Sequence, residues 1–146
     1  MDCLFCRIVE GKEEAVKVYE DGFLIVIMDR YPRSLGHVLV IPKAHYETLF
    51  DMDYGDVGRL FEYSVAVAKA LVGALKADGV NIGVNNGRAA NQIIPHVHVH
   101  VIPRFYGDSI GFPPKRRASL EELEEVAKLV RDEVSSAIKN ITHGRV

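Results

Sequence analysis

Apolar and polar positions along this chain fall into short blocks of distinct period, each readable as one element. Val16-Lys17-Val18-Tyr19 and Phe23-Leu24-Ile25-Val26-Ile27 read as two strands, and Glu20-Asp21-Gly22 between them has turn chemistry, which predicts a hairpin. His37-Val38-Leu39-Val40-Ile41 predicts a third strand, entered after Gly36 and stopped by Pro42, which has no N–H to give to a ladder. The first half of the sheet is therefore expected to be antiparallel.

From Tyr54 to about Ala77 the period lengthens. Val57, Leu60, Phe61, Val65, Ala68, Leu71, Val72 and Leu75 recur at three and four, which predicts a long amphipathic helix with Asp53 as its N-cap and Gly79 just past its end. Val80-Asn81-Ile82-Gly83-Val84 alternates like a strand, Asn85 to Asn91 is polar loop, and a last strand is expected between Pro95 and Pro103. Gly107 to Pro114 reads as loop, followed by the basic patch Lys115-Arg116-Arg117, a charge run of the kind that usually forms a solvated face. Ser119 with Glu122 three residues on is a capping box, and Leu123, Val126, Val130, Val134 and Ile138 mark one face of a terminal helix, which could pack on its own domain or across a dimer.

This order of elements predicts an α+β fold: a mainly antiparallel sheet, one long central helix and a C-terminal helix. A chain of 146 residues, 48% of them hydrophobic, has the size of one domain, 1–146, in which 107–146 form a loop and helical C-terminal extension.

Charge narrows the partners. The formal net charge is only -2 and basic residues form no long run, so a nucleic-acid-coating protein is excluded while small anionic substrates remain. No apolar stretch approaches the roughly 20 residues that span a bilayer, and Met1-Asp2-Cys3-Leu4-Phe5-Cys6 lacks the pattern of a secretory signal, so a cytoplasmic protein without a membrane partner is expected. Cys3-x-x-Cys6 suits a metal, a redox dithiol or two buried thiols.

In an extended segment His96, His98 and His100 point to one side and Val97, Val99 and Val101 to the other. Same-side neighbours are roughly 6.5 to 7 Å apart, close enough to share one phosphate-sized ligand. A lone strand histidine is usually a satisfied structural residue, but three in strict alternation are hard to explain as packing. Two chemical readings stand side by side: alternate histidines as zinc ligands, or a neutral imidazole attacking phosphorus, its far nitrogen held as a donor and its neighbours stabilising developing charge.

His96-Val97-His98-Val99-His100-Val101-Ile102 resembles the His-φ-His-φ-His-φ-φ signature of the histidine triad (HIT) family. The resemblance extends upstream through Asp29-Arg30-Tyr31-Pro32 and Gly36 to His45, and to Asn85 and Gln92, covering roughly Cys3 to Arg104. It implies a homodimer that binds a purine nucleotide and passes through a nucleotidyl-histidine intermediate. In that scheme His98 is the nucleophile, His100 stabilises the phosphoryl oxygens, and His96 orients His98 through its backbone carbonyl. His37, Asn85 and Gln92 fall at phosphate-binding positions, Asp29 at a ribose-binding one, and Phe5, Ile8 and Ile27 around the base. Asn85 beside Gly87 is also plain turn chemistry, and Asp29 before a proline turn a plain cap.

The activity implied is that of a nucleotide phosphohydrolase or nucleotidyl transferase acting on the α-phosphate of dinucleoside polyphosphates or nucleoside phosphoramidates. The alternative is a nucleotide-binding sensor with little turnover. Some members of the family join a Cys-x-x-Cys pair to two histidines, which here implies a structural Zn2+ on Cys3, Cys6, His45 and His96, a closed shell that the chemistry itself does not require. The chain departs from many members at Asn91-Gln92-Ile93, where a hydroxyl residue usually follows the glutamine.

Overall fold

The computed structural model describes residues 3–108 and 117–143; most of the Gly107 to Pro114 loop, with Lys115 and Arg116, lies outside them. The elements are α1 (Leu4–Val9), β1 (Lys17–Glu20), β2 (Leu24–Met28), β3 (Val38–Pro42), α2 (Tyr54–Leu75), β4 (Gly79–Gly83), β5 (Val99–Arg104) and α3 (Leu120–His143). The strands form one antiparallel sheet in the order β1-β2-β3-β5-β4. This is the α+β architecture the periodicities predict.

The hairpin is closed by Asp21, whose carboxylate accepts the N–H groups of Phe23 and Leu24 at 2.8 and 3.0 Å. Asp53 caps α2 by accepting the N–H of Asp56 at 2.8 Å, and the Ser119–Glu122 capping box opens α3. At its other end α2 stops in Lys76, which adopts the left-handed conformation (φ 56°) without glycine's freedom.

Alternation sorts the sheet into two faces. Leu24, Val26, Met28, Val38, Val40, Val99 and Val101 share a core with α2 and α3, so the stripe on Leu123, Val130, Val134 and Ile138 packs within its own chain. Ile25, Ile27, Leu39 and Ile41 look the other way, onto Cys3, Phe5 and Ile8 of the N-terminal segment. β5 lies between β3 and β4 and carries His100 opposite Leu39.

Three details differ from the periodic reading. The ladder of β5 begins at Val99, so His98 stands in the unpaired lead-in to it and His96 in the bend before that. Pro103 falls inside the strand, opposite Val80 and past Val101, the last β5 residue paired with β3, where a proline interrupts nothing. α1 was not anticipated: six residues are too few to show a period, and its cap is a thiol, with Cys3 Sγ accepting the N–H of Cys6.

Gly36 turns the chain into β3 at φ +85°, and a Cβ there would stand 2.3 Å from Leu75 Cδ1 at the end of α2. Gly36→Ala is expected to cost about 2 to 4 kcal/mol, combining left-handed strain with overpacking. Urea unfolding checks this; a cost under about 1 kcal/mol would show that Leu75 yields freely.

Candidate active site and metal centre

The three histidines serve different neighbours. Val97, Val99 and Val101 are sealed into the helix-side core, which fixes the opposite side of the segment as the one bearing the rings. His98 Nδ1 lies 2.7 Å from the carbonyl oxygen of His96. A carbonyl only accepts, so the ring carries its proton on Nδ1 and its lone pair on Nε2. Burial lowers the pKa of His98, which favours this neutral form. Phe5 meets its ring edge-on, with centroids 5.0 Å apart.

His100 is set by a chain of donors that begins in the backbone. The N–H of Arg33 points at His37 Nδ1 at 3.0 Å, so the neutral His37 ring must carry its proton on Nε2. That proton faces His100 Nδ1 at 3.0 Å and the Asp29 carboxylate at 3.3 Å. His100 therefore accepts at Nδ1 and keeps its own proton on Nε2. Burial pushes both rings down, His37 to about 4 and His100 to about 4, so the contact with Asp29 is a hydrogen bond from a neutral ring.

Neutral buried rings make the fold sensitive to acid. His37, His98 and His100 hold protons less tightly folded than unfolded, so their stabilisation is complete above about 6.5 and is lost as pH falls, for His37 and His100 towards about 4. Tm is expected to be flat above neutrality and to decline through that window. His37→Gln should flatten the decline; an unchanged slope would assign it to other groups.

A cavity of about 460 Å3 opens on this side of the sheet. His98, His100 and Asn85 line one side, and Asp29, Ile27, Phe5 and Ile8 continue it across β3 and β2. Three residues of the predicted catalytic and nucleotide-binding set, His37, Gln92 and His96, lie off the wall. His37 is 1% exposed behind His100. Gln92 spends its amide on the loop, accepting from the N–H of Gly87 at 2.7 Å and donating to the carbonyls of Glu47 and Ile94. Conversely, Arg117, read from sequence as part of a solvated patch, lines the cavity. The N–H of its neighbour Ala118 donates to the Arg30 carbonyl at 2.8 Å and anchors it there; no sequence period carries that contact.

His96 turns away from the cavity into a second cluster. Its Nε2 donates to the Pro42 carbonyl at 2.8 Å, which leaves the Nδ1 lone pair facing Cys3 Sγ at 3.3 Å, Cys6 Sγ at 3.7 Å and His45 Nδ1 at 3.1 Å; Cys6 Sγ is 3.4 Å from His45 Nδ1. Tetrahedral zinc, with bonds of about 2.3 Å to sulfur and about 2.0 Å to nitrogen, requires sulfur–nitrogen edges of about 3.6 Å and a nitrogen–nitrogen edge of about 3.3 Å. The four side chains fit that ion, and the Pro42 carbonyl supplies the outer hydrogen bond that metal-binding histidines use. Burial and the Cys3 thiol push Cys6 up to about 11, so a metal entering the site displaces its proton. Asp29, His37 and His100 also converge, but His37 Nε2 bears a proton and cannot ligate.

The chain matches the HIT domain over residues 10–107 and belongs to the histidine triad family. It is 40% identical to adenylylsulfatase HINT3 of Arabidopsis thaliana over 88% of its length, and spans 66% of that relative, just under two thirds. A histidine triad nucleotide-binding protein of Sulfolobus tokodaii superposes with TM-score 0.85 at 37% identity, covering 95% of this chain and 96% of that one. A zinc-bound histidine triad family protein of Mycobacterium smegmatis does so at 0.83 and 37%, covering 95% and 97%. No helix among the described residues is long and apolar enough to cross a membrane.

Proposed function

We propose that this protein is a nucleotide phosphohydrolase or nucleotidyl transferase that attacks the α-phosphorus of a purine nucleotide with His98. The observation that carries this reading is the 2.7 Å contact between His98 Nδ1 and the His96 carbonyl, which commits one ring nitrogen as donor and leaves the other a nucleophile. The nucleotide-binding relative from Sulfolobus tokodaii supports the ligand class, and the plant adenylylsulfatase supports turnover.

Each residue takes a role its position suits. The Nε2–H of His100 donates to the phosphoryl oxygens as charge builds there, and His37 positions His100 by holding its tautomer. Asn85 offers its amide to the phosphate or the leaving group. Asp29 meets the ribose, with Phe5, Ile8 and Ile27 around the base. Gln92 fixes the loop that carries Asn85. His98 then forms a bond to phosphorus, the leaving group departs, and water or another acceptor frees the ring.

Cys3, Cys6, His45 and His96 would hold the zinc. Such a closed four-ligand ion supplies no open coordination position and contributes rigidity. The ring of His96 would be held from one side while its carbonyl orients His98 from the other. We further propose a homodimer working in the cytoplasm. The enzymatic reading is tested with a panel of dinucleoside polyphosphates and nucleoside phosphoramidates. Turnover, with a nucleotide adduct on His98 in acid-free quenched samples, is expected; binding without turnover on every substrate would instead make the protein a nucleotide sensor.

A further inference from the structure

The chain's two cysteines stand on one turn: Cys3 caps α1 and Cys6 follows three residues on, a spacing at which dithiols close into disulfides. Cys3 Sγ accepts the Cys6 N–H at 3.4 Å, which folds its side chain back over the turn towards the second thiol. The two sulfurs lie within 4.8 Å of one another. A disulfide draws sulfurs to about 2.0 Å, an approach that side-chain rotation within this one turn supplies.

The two thiols are unequal. Cys3 is buried, whereas Cys6 is half-buried at the edge of the cluster. An oxidant arriving from solvent therefore meets Cys6 first, with Cys3 behind it to resolve the product, the arrangement of redox-sensitive cysteine pairs. Bound zinc would hold both sulfurs as thiolates, the form that attacks peroxides.

Ion and disulfide exclude one another. Tetrahedral zinc spaces two thiolate sulfurs about 3.8 Å apart, whereas disulfide sulfurs are uncharged and far closer together. Only His45 and His96 would remain as ligands, half of what a closed structural site uses. The loss reaches the nucleophile by two routes. The His96 carbonyl takes the His98 Nδ1–H at 2.7 Å. Phe5, between the cysteines in sequence, meets both rings edge-on, with centroids 5.8 Å from His96 and 5.0 Å from His98.

We infer that Cys3 and Cys6 form a peroxide-sensitive pair whose closure into a disulfide releases the zinc and slows the chemistry at His98. The slowing rests on the nucleophilic role of His98; the release does not. In the first step the Cys6 thiolate attacks one peroxide oxygen, the oxygen–oxygen bond breaks, hydroxide departs and Cys6 becomes a sulfenic acid. In the second, the Cys3 thiolate attacks the Cys6 sulfur, the sulfur–sulfur bond forms, and the electron pair of the breaking sulfur–oxygen bond leaves on a second hydroxide. The thiolates lose two electrons together, the peroxide gains them, and solvent protons turn both hydroxides into water.

The test exposes the zinc-loaded full chain to hydrogen peroxide beside a chromogenic zinc chelator. Stoichiometric zinc release is expected, with a Cys3–Cys6 link in the peptide map and kcat/KM lowered by about tenfold. Dithiothreitol followed by fresh zinc should restore all three. Cys6→His keeps four zinc ligands with a single thiol and should retain its ion through the same exposure. Where that variant takes up no zinc, the wild-type peptide map decides alone. Zinc release without the Cys3–Cys6 link, a link between two chains instead, zinc retained by the oxidised wild type, or equal release from Cys6→His overturns the inference. A wild type that never takes up zinc overturns it together with the metal assignment. Turnover unchanged in the oxidised, zinc-free chain overturns the coupling to His98 and leaves the proposed function standing. Absence of turnover before any oxidation overturns the proposed function, and zinc release then decides the inference by itself.

Discussion

Replacing His98 by alanine is expected to lower kcat by more than about 10^4-fold while nucleotide affinity changes by less than about threefold, the pattern of a lost reacting group. The asymmetry follows from the geometry. The ring supplies the bond-forming lone pair, whereas affinity would come from Asp29, Ile27, Ile8 and the donors around the phosphate, none of which the substitution touches. Removing a ring that is 8% exposed and edged by Phe5 also leaves a small hole, so Tm is measured alongside to separate lost chemistry from lost packing. Loss of affinity in step with kcat would reassign His98 from nucleophile to ligand contact.

Stripping the metal is expected to have the second largest effect. With zinc bound, one ion ties the Cys3 and Cys6 segment, the His45 loop after β3 and the residue that orients His98. Loss of a structural metal is among the few changes that cost more than about 4 kcal/mol, which in a chain of this size is roughly 8 to 16 °C in Tm. Activity should fall less steeply than in His98→Ala, because the nucleophile stays and only its orientation loosens. Cys3→Ser with Cys6→Ser should reproduce the effect and make it insensitive to chelator. Purified protein without stoichiometric zinc, yet stable to chelation, would contradict the assignment.

Much of this was legible in the residues because two periods carry it. The three-and-four recurrence from Val57 to Leu75 and from Leu123 to Ile138 marks both helices, though Val65 stays 44% exposed and the buried face of α2 also takes in Tyr63, Ala66, Val67 and Ala70. The valine–histidine alternation divides β5 and its lead-in between core and site. Capping chemistry at Asp53 and Ser119 carried the helix starts. Less accessible were features that depend on contacts distant in sequence. Gln92 reads as a site residue until its amide is seen spent on Glu47 and Ile94. Arg117 stays exposed as a charge run predicts, but its place beside the cavity appears only once the Ala118 N–H meets the Arg30 carbonyl. His37 reads as a phosphate contact until the Arg33 N–H fixes its proton and turns it onto His100. α1 is six residues held by a thiol cap and by the burial of Phe5 and Ile8, and no window of sequence shows that.

Long-range nitrogen–proton correlation spectra of the imidazoles, recorded on the substrate-free protein at neutral pH, probe the nucleophile directly. The account predicts that His98 shows a protonated Nδ1 and a bare Nε2, with His100 protonated on Nε2. A proton found on His98 Nε2, or a doubly protonated His98 ring, would contradict it.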